Sequence, residues 1–168
     1  IDVVPPQQRF TDNWYQGTAD AVYQNIYAIE RENPKDVVVL AGDHIYKMNY
    51  GPMIDFHRQK DADITIGTLR VSRAEARQFG VMQTDGEQRV VGFEEKPAEP
   101  KATSDDPDFC LVSMGIYVFN AKAMEDALSG TATDFGKEII PSLVSEKDIR
   151  CHIFDGYWED IGTVKAFF

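Results

Sequence analysis

The clearest hydrophobic pattern along the chain is an unbroken apolar run, VVVLA at residues 37–41, which is followed by Gly42 and Asp43. A half-solvated strand would alternate, so this run predicts a strand covered on both faces, as in a parallel sheet. Gly42 lets the backbone turn, and open α/β sheets bind their ligands at the carboxyl ends of strands. Asp43 is therefore the first candidate site residue, with capping of the next turn as the structural alternative.

The rest of the pattern predicts an α/β chain interrupted by one hairpin. Helices are expected at residues 19–32, 52–60, 72–79, 122–129 and 134–145, and strands at 36–42, 63–69, 111–119 and 150–154. Ser72 and Glu75 have the spacing of a capping box at the start of the third helix. Asp85-Gly86 between GVMQT and RVVGFEE supplies the turn residues of a β-hairpin. Residues 97–108 are rich in proline and acids and predict a loop.

Composition limits the class of protein. A chain of 168 residues with 43% hydrophobic content can form one domain with a sizeable core. The net charge of -11 argues against nucleic acid and anionic lipid as partners. No apolar run approaches a membrane span, and no signal peptide pattern is present. Cys110 and Cys151 lack C-x-x-C spacing and favour a reducing compartment.

Two aspartates are the strongest candidates for chemistry, since the common phosphate-binding loops and zinc-spaced histidines are absent from the sequence. Asp43 follows its apolar strand, and Asp160 lies in the aromatic segment YWEDIGT. Two carboxylates brought together suit Mg²⁺, which is typically held by one or two carboxylates and substrate phosphates. For Asp160 the alternative is an N-cap of a helix starting near Thr163. Of the three histidines, only His44 adjoins a candidate acid.

Other candidates are polar or aromatic residues in unusual positions. Lys96 precedes Pro97, which prevents further strand pairing, so its side chain should project from a rigid strand end. Ser113 lies within an apolar strand, where its hydroxyl needs a partner. Trp14 and Tyr15 offer ring faces to a sugar or a base. A solvated lysine and ordinary packing are the alternatives for these residues.

Six segments then point to a family when they are taken in order. They are WYQGTADAV (14–22), AGDHIYKMNY (41–50), FGVM (79–82), FEEKP (93–97), SMGIYVF (113–119) and YWEDIGT (157–163). In this order they resemble the glucose-1-phosphate adenylyltransferase family over nearly the whole chain. The resemblance implies a Rossmann-like nucleotidyltransferase fold of the α/β class, with a mixed, mostly parallel sheet and helices on both faces. It also implies synthesis of ADP-glucose and pyrophosphate from ATP and glucose 1-phosphate, for glycogen or starch.

The resemblance implies roles for individual residues as well. Asp43 and Asp160 match carboxylates that position Mg²⁺ on the nucleotide phosphates, and Lys96 matches the lysine that contacts the phosphate of glucose 1-phosphate. The implied sugar-nucleotide-binding residues are Tyr15, Gly80, Glu95 and Ser113.

The likeness covers only part of the family pattern. The family's N-terminal glycine-rich loop and its C-terminal β-helix are not matched, and the chain starts at Ile1 and stops at Phe168 within an apolar segment. Residues 1–168 are therefore expected to be a partial catalytic domain that is inactive alone. The resemblance implies an allosteric homotetramer in the cytoplasm, or in a plastid if the source is a plant.

Three other functions remain open. Another sugar-1-phosphate nucleotidyltransferase would use dTTP, UTP or GTP, although WYQGTADAV and AGDHIYKMNY favour ATP and glucose. A non-catalytic regulatory subunit would keep the fold, but Asp43, Lys96 and Asp160 together argue against it. A phospho-acceptor signalling domain built on Asp43 fits neither the hairpin nor EEKP.

Overall fold

The computed structural model of the protein describes Val4 and residues 14–161, so a helix near Thr163 lies outside the described residues. The helices are α1 (Thr18–Tyr23), α2 (Ile26–Glu32), α3 (Gly51–Gln59), α4 (Ala121–Leu128) and α5 (Ile140–Leu143), with a 3₁₀-helix at Glu75–Gln78 and a π-helix at Phe135–Ile139. The strands are β1 (Asp36–Val39), β2 (His44–Tyr46), β3 (Ile64–Ser72), β4 (Gly80–Thr84), β5 (Val90–Glu95), β6 (Phe109–Asn120), β7 (Ile149–Ile153) and β8 (Trp158–Asp160).

Six of these strands form one mixed sheet in the order β5-β4-β6-β3-β7, with β1 also paired to β6. β3 and β7 are parallel neighbours, whereas the other pairings are antiparallel. As a result β1, β3, β4 and β7 run in one direction, and β5 and β6 run in the other. The remaining strands, β2 and β8, form a separate two-stranded antiparallel sheet. The expected α/β class with a mixed sheet is confirmed, but the expectation that the sheet is mostly parallel is wrong for the described strands, since only β3 and β7 pair in parallel.

The prediction that the first strand has a parallel neighbour is wrong for the strands described. β1 pairs antiparallel with the second half of β6, from Asp36 opposite Asn120 to Val39 opposite Tyr117. Its side chains do reach apolar clusters on both sides, since Val37 and Val39 pack on one cluster and Val38 on the other. An apolar run reports coverage of both faces, and it carries no information about the direction of the neighbouring strand.

Helices cover both faces of the sheet, as predicted. One face packs against α1, α2, α4, α5 and the π-helix, with Phe119 and Phe135 among the fully buried residues. The other face packs against α3, the 3₁₀-helix and the β2-β8 sheet, around buried Met53, Val112 and Met114. Within residues 14–161 no helix is both long and apolar enough to cross a membrane.

The single helix predicted at residues 19–32 is two helices. The Asn25 amide donates to the Ala21 carbonyl at 2.8 Å and to the Tyr15 hydroxyl at 2.9 Å. Asn25 is the N-cap of α2, and its side chain competes with the helical hydrogen bonds at this position. The predicted end of the segment is confirmed, because Asn33 adopts a left-handed conformation before Pro34.

The predicted β-hairpin and capping box are both confirmed. β4 and β5 pair from Gly80 opposite Glu95 to Thr84 opposite Val90. Of the two predicted turn residues, Asp85 is used, since its carboxylate accepts from the Glu87 and Arg89 backbone N–H groups, whereas the positive φ in the turn falls on Gln88 and not on Gly86. In the capping box, the Ser72 backbone N–H donates to the Glu75 carboxylate at 3.1 Å.

A bulge in β6 shapes the region beside β1. The pairing of β3 with β6 shifts register between Ile66 and Thr68, which lie opposite Tyr117 and Ser113. Gly115 lies inside this bulge with a φ of 67°, a conformation that side chains with a Cβ rarely adopt. The bulge brings Gly115 close to the residues that follow β1.

Candidate active site

One cleft of about 530 Å³ gathers six of the seven site residues predicted from the sequence. It lies between the segment after β1, the end of β5, the bulged part of β6 and the N-terminus of the π-helix. The predicted residues on its wall are Asp43, Gly80, Glu95, Lys96, Ser113 and Asp160.

The short β2-β8 sheet brings the two aspartates together. His44 pairs with Asp160 across the sheet, and the Ile161 backbone N–H donates to the Asp43 carbonyl at 3.1 Å. One ligand atom from each of Asp43, His44 and Asp160 lies within 4.8 Å of the others. This spacing and the two carboxylates fit a single divalent cation.

Asp43 does not serve as the turn cap that was its structural alternative. Its carboxylate accepts no backbone hydrogen bond from residues 14–161, and its side chain is 66% exposed at the cleft. Gly42 is also not required by the turn, because an added Cβ would meet no atom within 4 Å. The carboxylate is thus available to a ligand.

Lys96 has an unusual backbone conformation at the end of β5. Its φ is 47°, in the left-handed region, although the following Pro97 favours an extended conformation. The Lys96 backbone N–H donates to the Phe79 carbonyl at 3.0 Å, which helps to hold this conformation. Left-handed residues other than glycine cost about 1–3 kcal/mol and concentrate at functional sites. The side chain is exposed and lines the cleft.

Glu95 is held over two glycines on the cleft wall. A Cβ on Gly80 would lie 2.9 Å from the Glu95 Oε2 atom, and one on Gly136 would lie 3.2 Å from it. A larger residue at Gly80 would collide first with the Phe93 ring and would also press on this carboxylate. Burial raises the pKa of Glu95, the charge of Lys96 opposes the rise, and Asp134 adds to it.

Glu95→Gln is expected to raise the melting temperature near neutral pH. The raised pKa means that the folded state disfavours the carboxylate, so its destabilising effect develops as pH rises from the unfolded value of about 4.5 through the folded pKa. Glu95 is only half-buried, so the gain should be at most a few degrees. Thermal unfolding between pH 3.5 and 8 should show the difference vanishing at the acid end. The exposed Glu99→Gln control should show no such trend, and a gain that persists below pH 4 would contradict the explanation.

Ser113 has the partner that its position in an apolar strand requires. Its hydroxyl oxygen accepts a hydrogen bond from the Gly115 backbone N–H at 3.2 Å. Burial raises the pKa of Tyr117 to about 12, although hydrogen bonding with Ser113 opposes the rise. Both hydroxyls belong to residues of the cleft wall, and both stay protonated at neutral pH.

Tyr15 is the predicted site residue that the cleft does not include. Its hydroxyl accepts from Asn25, and Tyr15 is absent from the cleft wall, although Thr18 of the neighbouring α1 lines it. Trp14 is 75% exposed. A contact between a ligand and these rings remains a prediction.

Sequence reasoning missed several residues on the cleft wall, and Tyr117 and Asp134 are the ones with clear chemical potential. Tyr117 lies two positions after Gly115 and four after Ser113, so the two-residue period of β6 would have placed it on the same face. Asp134 accepts from the Lys137 backbone N–H at 2.9 Å at the start of the π-helix. In the sequence, Asp134 stands before FGKEI, where an acid indicates the start of a helix. The same residue also lines the cleft.

The arrangement suits an anionic, hydroxylated ligand. The chain's net charge of -11 repels phosphate groups at long range. The cleft counters this repulsion locally with Lys96 and with a carboxylate pair able to hold a cation. Glu95, Ser113 and Tyr117 add hydrogen-bonding groups that suit sugar hydroxyls. Metal-assisted chemistry on a phosphorylated sugar is consistent with this set.

Comparison with known proteins gives the family. The nucleotidyl transferase family profile matches residues 1–168. A glucose-1-phosphate adenylyltransferase of Rhodopirellula baltica is 59% identical over all of this chain and 41% of its own length. The enzymes of the same name from Shewanella baltica strain OS185 and Methylococcus capsulatus are 44% and 43% identical over 99% of this chain.

The chain spans 41% to 43% of the length of these three relatives. The resemblance predicted from six ordered segments is confirmed by identities that extend over the whole chain. Nucleotidyl transferases generally use divalent metal ions, which agrees with the paired carboxylates. The chain belongs to the nucleotidyl transferase family.

Proposed function

We propose that the protein joins ATP to glucose 1-phosphate, giving ADP-glucose and pyrophosphate. A phosphate oxygen of glucose 1-phosphate forms a bond to the α-phosphorus of ATP. The bond from that phosphorus to the bridging oxygen breaks, and pyrophosphate leaves with the electron pair. No covalent enzyme intermediate is required, so catalysis consists mainly of alignment and charge neutralisation.

The observation that carries the proposal is the presence of Lys96 and the Asp43-Asp160 pair on one cleft. These groups come from three segments that are distant in sequence, and the fold places all three on the wall of the same cleft, where phosphorylated substrates would meet them. The names of the relatives, which all denote glucose-1-phosphate adenylyltransferases, support the choice of ATP and glucose.

Asp43 and Asp160 would hold Mg²⁺, whose carboxylate oxygen ligands they supply. When bound, the ion neutralises charge on the phosphates of the nucleotide. Lys96 would bind the phosphate of glucose 1-phosphate and orient its attacking oxygen. Its strained backbone supports this role, because such a conformation positions the ammonium without a flexible loop.

The sugar would lie beside Gly80, Glu95 and Ser113. Gly80 lets Glu95 approach closely, and Glu95 offers acceptor oxygens to sugar hydroxyls. Ser113 can accept from or donate to a hydroxyl while keeping its hydrogen bond from Gly115. We place Tyr15 near the nucleotide or sugar on the family resemblance alone.

A pyrophosphate-release assay on the complete protein tests the proposal. Glucose 1-phosphate should be offered with ATP, dTTP, UTP or GTP in Mg²⁺, and with EDTA as the control. ATP is expected to give the highest kcat/KM, and EDTA is expected to abolish release. A preference for another nucleotide would identify a different sugar nucleotidyltransferase.

The same protein preparation separates the remaining alternatives. Binding of ATP by calorimetry without turnover under any condition would indicate a non-catalytic regulatory subunit. Stable phosphorylation of Asp43 by acetyl phosphate, with no affinity for sugar phosphate, would indicate a signalling domain. We further propose, on the family resemblance, a cytoplasmic homotetramer in glycogen biosynthesis, and sedimentation velocity tests its assembly.

A further inference from the structure

We propose that His44 is a positioning residue, which donates its Nε2–H to Asp43 and so fixes that carboxylate for the divalent cation shared with Asp160. The inference rests on the proposed function for the presence of a cation at this pair. His44 would then contribute to the site without coordinating the cation and without contacting the sugar.

His44 is next to both carboxylates, one along the chain and the other across the β2-β8 sheet. It follows Asp43 in the chain, and it is the residue directly opposite Asp160 in the β2-β8 sheet. The Nε2 atom of His44 lies 3.5 Å from Asp43 Oδ1. Because the Asp43 side chain is exposed, a small rotation of its carboxylate brings this distance into the hydrogen-bond range.

The imidazole ring itself cannot rotate freely. Its side chain is only 12% exposed, and the Trp158 ring packs edge-on against it with centroids 4.9 Å apart. On another side, a Cβ added to Gly115 would lie 3.1 Å from the His44 Cε1 atom. The bulge in β6 therefore provides the room for this ring, which explains why a glycine with a φ of 67° occurs there.

The surroundings of the other ring nitrogen select the tautomer. His44 Nδ1 is buried and has no hydrogen-bond partner within the described part of the chain. A buried N–H without an acceptor is rarer and more costly than a buried lone pair, so the proton belongs on Nε2. This tautomer makes Nε2 a donor aimed at Asp43. It also disfavours direct coordination by Nε2, which would move the proton to the unpartnered Nδ1.

The effect on the site is preorganisation. The Asp43 carboxylate is free to rotate without this donor, since no backbone N–H in residues 14–161 holds it. A hydrogen bond to Oδ1 leaves the second oxygen for the cation. Partners of this kind typically change metal affinity by about 10- to 100-fold when they are removed.

Two substitutions distinguish the effect of the Nε2–H donor from the effect of side-chain packing at position 44. His44→Gln can place an amide N–H near the position of Nε2, whereas His44→Asn places its amide near Nδ1 and cannot reach Asp43. Mn²⁺ is the probe, and its dissociation constant is measured by electron paramagnetic resonance of the free ion in the complete protein. His44→Asn should weaken Mn²⁺ binding by about 10-fold or more, and His44→Gln should stay within about threefold of the parent.

The activity assay supplies a second readout that a structural role would not produce. His44→Asn should raise the metal concentration for half-maximal pyrophosphate release and leave the KM for glucose 1-phosphate unchanged. His152→Asn, at a half-buried histidine of β7, is the matched control and should change neither quantity. Melting temperatures verify that each variant is folded.

Three results would overturn the proposal. If both variants weaken Mn²⁺ binding equally, the Nε2–H donor is not what matters. If both variants keep the Mn²⁺ affinity of the parent, no donor is needed. Nitrogen coupling to bound Mn²⁺ in the parent protein would make His44 a direct ligand. If the Mn²⁺ pattern holds while no sugar nucleotide is made, the proposed reaction fails and the positioning role stands.

Discussion

Asp43→Asn is expected to lower kcat for ADP-glucose synthesis by about a thousandfold or more. The amide cannot supply the negative charge that Asp43 shares with Asp160, whose ligand atoms lie within 4.8 Å of its own. The side chain is 66% exposed, so its replacement should change the free energy of unfolding little. Steady-state pyrophosphate release at saturating Mg²⁺, together with a thermal melt, measures both quantities.

Asp55→Asn is the matched control for this substitution. Asp55 is an exposed aspartate of α3, on an element that does not line the cleft. It should leave both kcat and the melting temperature nearly unchanged. A near-normal kcat for Asp43→Asn at saturating Mg²⁺ would contradict the assignment of a cation to this pair.

Local signals in the sequence were sufficient for much of the fold. The hairpin needed only two alternating segments and a turn, and the capping box needed only Ser72 and Glu75, which do bond to each other. β6 and α4 were predicted to within two residues at each end. These features depend on interactions between residues close in the chain, which spacing reports directly.

Features that depend on distant partners were the ones missed. The apolar run at residues 37–41 reports burial, and its antiparallel neighbour in β6 is some 80 residues away. The break at Asn25 is the exception, because it comes from a nearby interaction: the Asn25 side chain donates to the Ala21 carbonyl and to the Tyr15 hydroxyl, and so competes with the helical backbone bonds. The bulge around Gly115 arises from the pairing of β6 with β3, which no local pattern encodes.

The site shows the same division. Asp43, Asp160 and Lys96 were recognisable by residue type and ordered motifs, but the β2-β8 pairing that joins the aspartates spans more than a hundred residues. His44 was noticed only as the neighbour of Asp43. Its importance comes from the Trp158 ring, the bulge at Gly115 and the unpartnered Nδ1, which are visible only in three dimensions.

Lys96→Ala is expected to raise the KM for glucose 1-phosphate by about 10- to 100-fold, and to leave the KM for ATP nearly unchanged. An ion pair at about 4 Å with an effective dielectric constant of about 20 contributes roughly 4 kcal/mol, so about three decades is the ceiling. The ammonium is exposed, and screening by solvent should keep the effect well below that limit. Initial rates with each substrate varied in turn measure the two constants.

The left-handed backbone at Lys96 does not complicate the comparison with alanine. Alanine carries a Cβ like lysine, so the strain at a φ of 47° is the same in both proteins and the comparison isolates the charged side chain. Lys60→Ala, at an exposed lysine after α3, removes one positive charge away from the cleft and controls for the change in net charge. It should shift neither KM. Equal increases in both KM values for Lys96→Ala would show that Lys96 serves the nucleotide as much as the sugar phosphate, and its assignment would then be wrong.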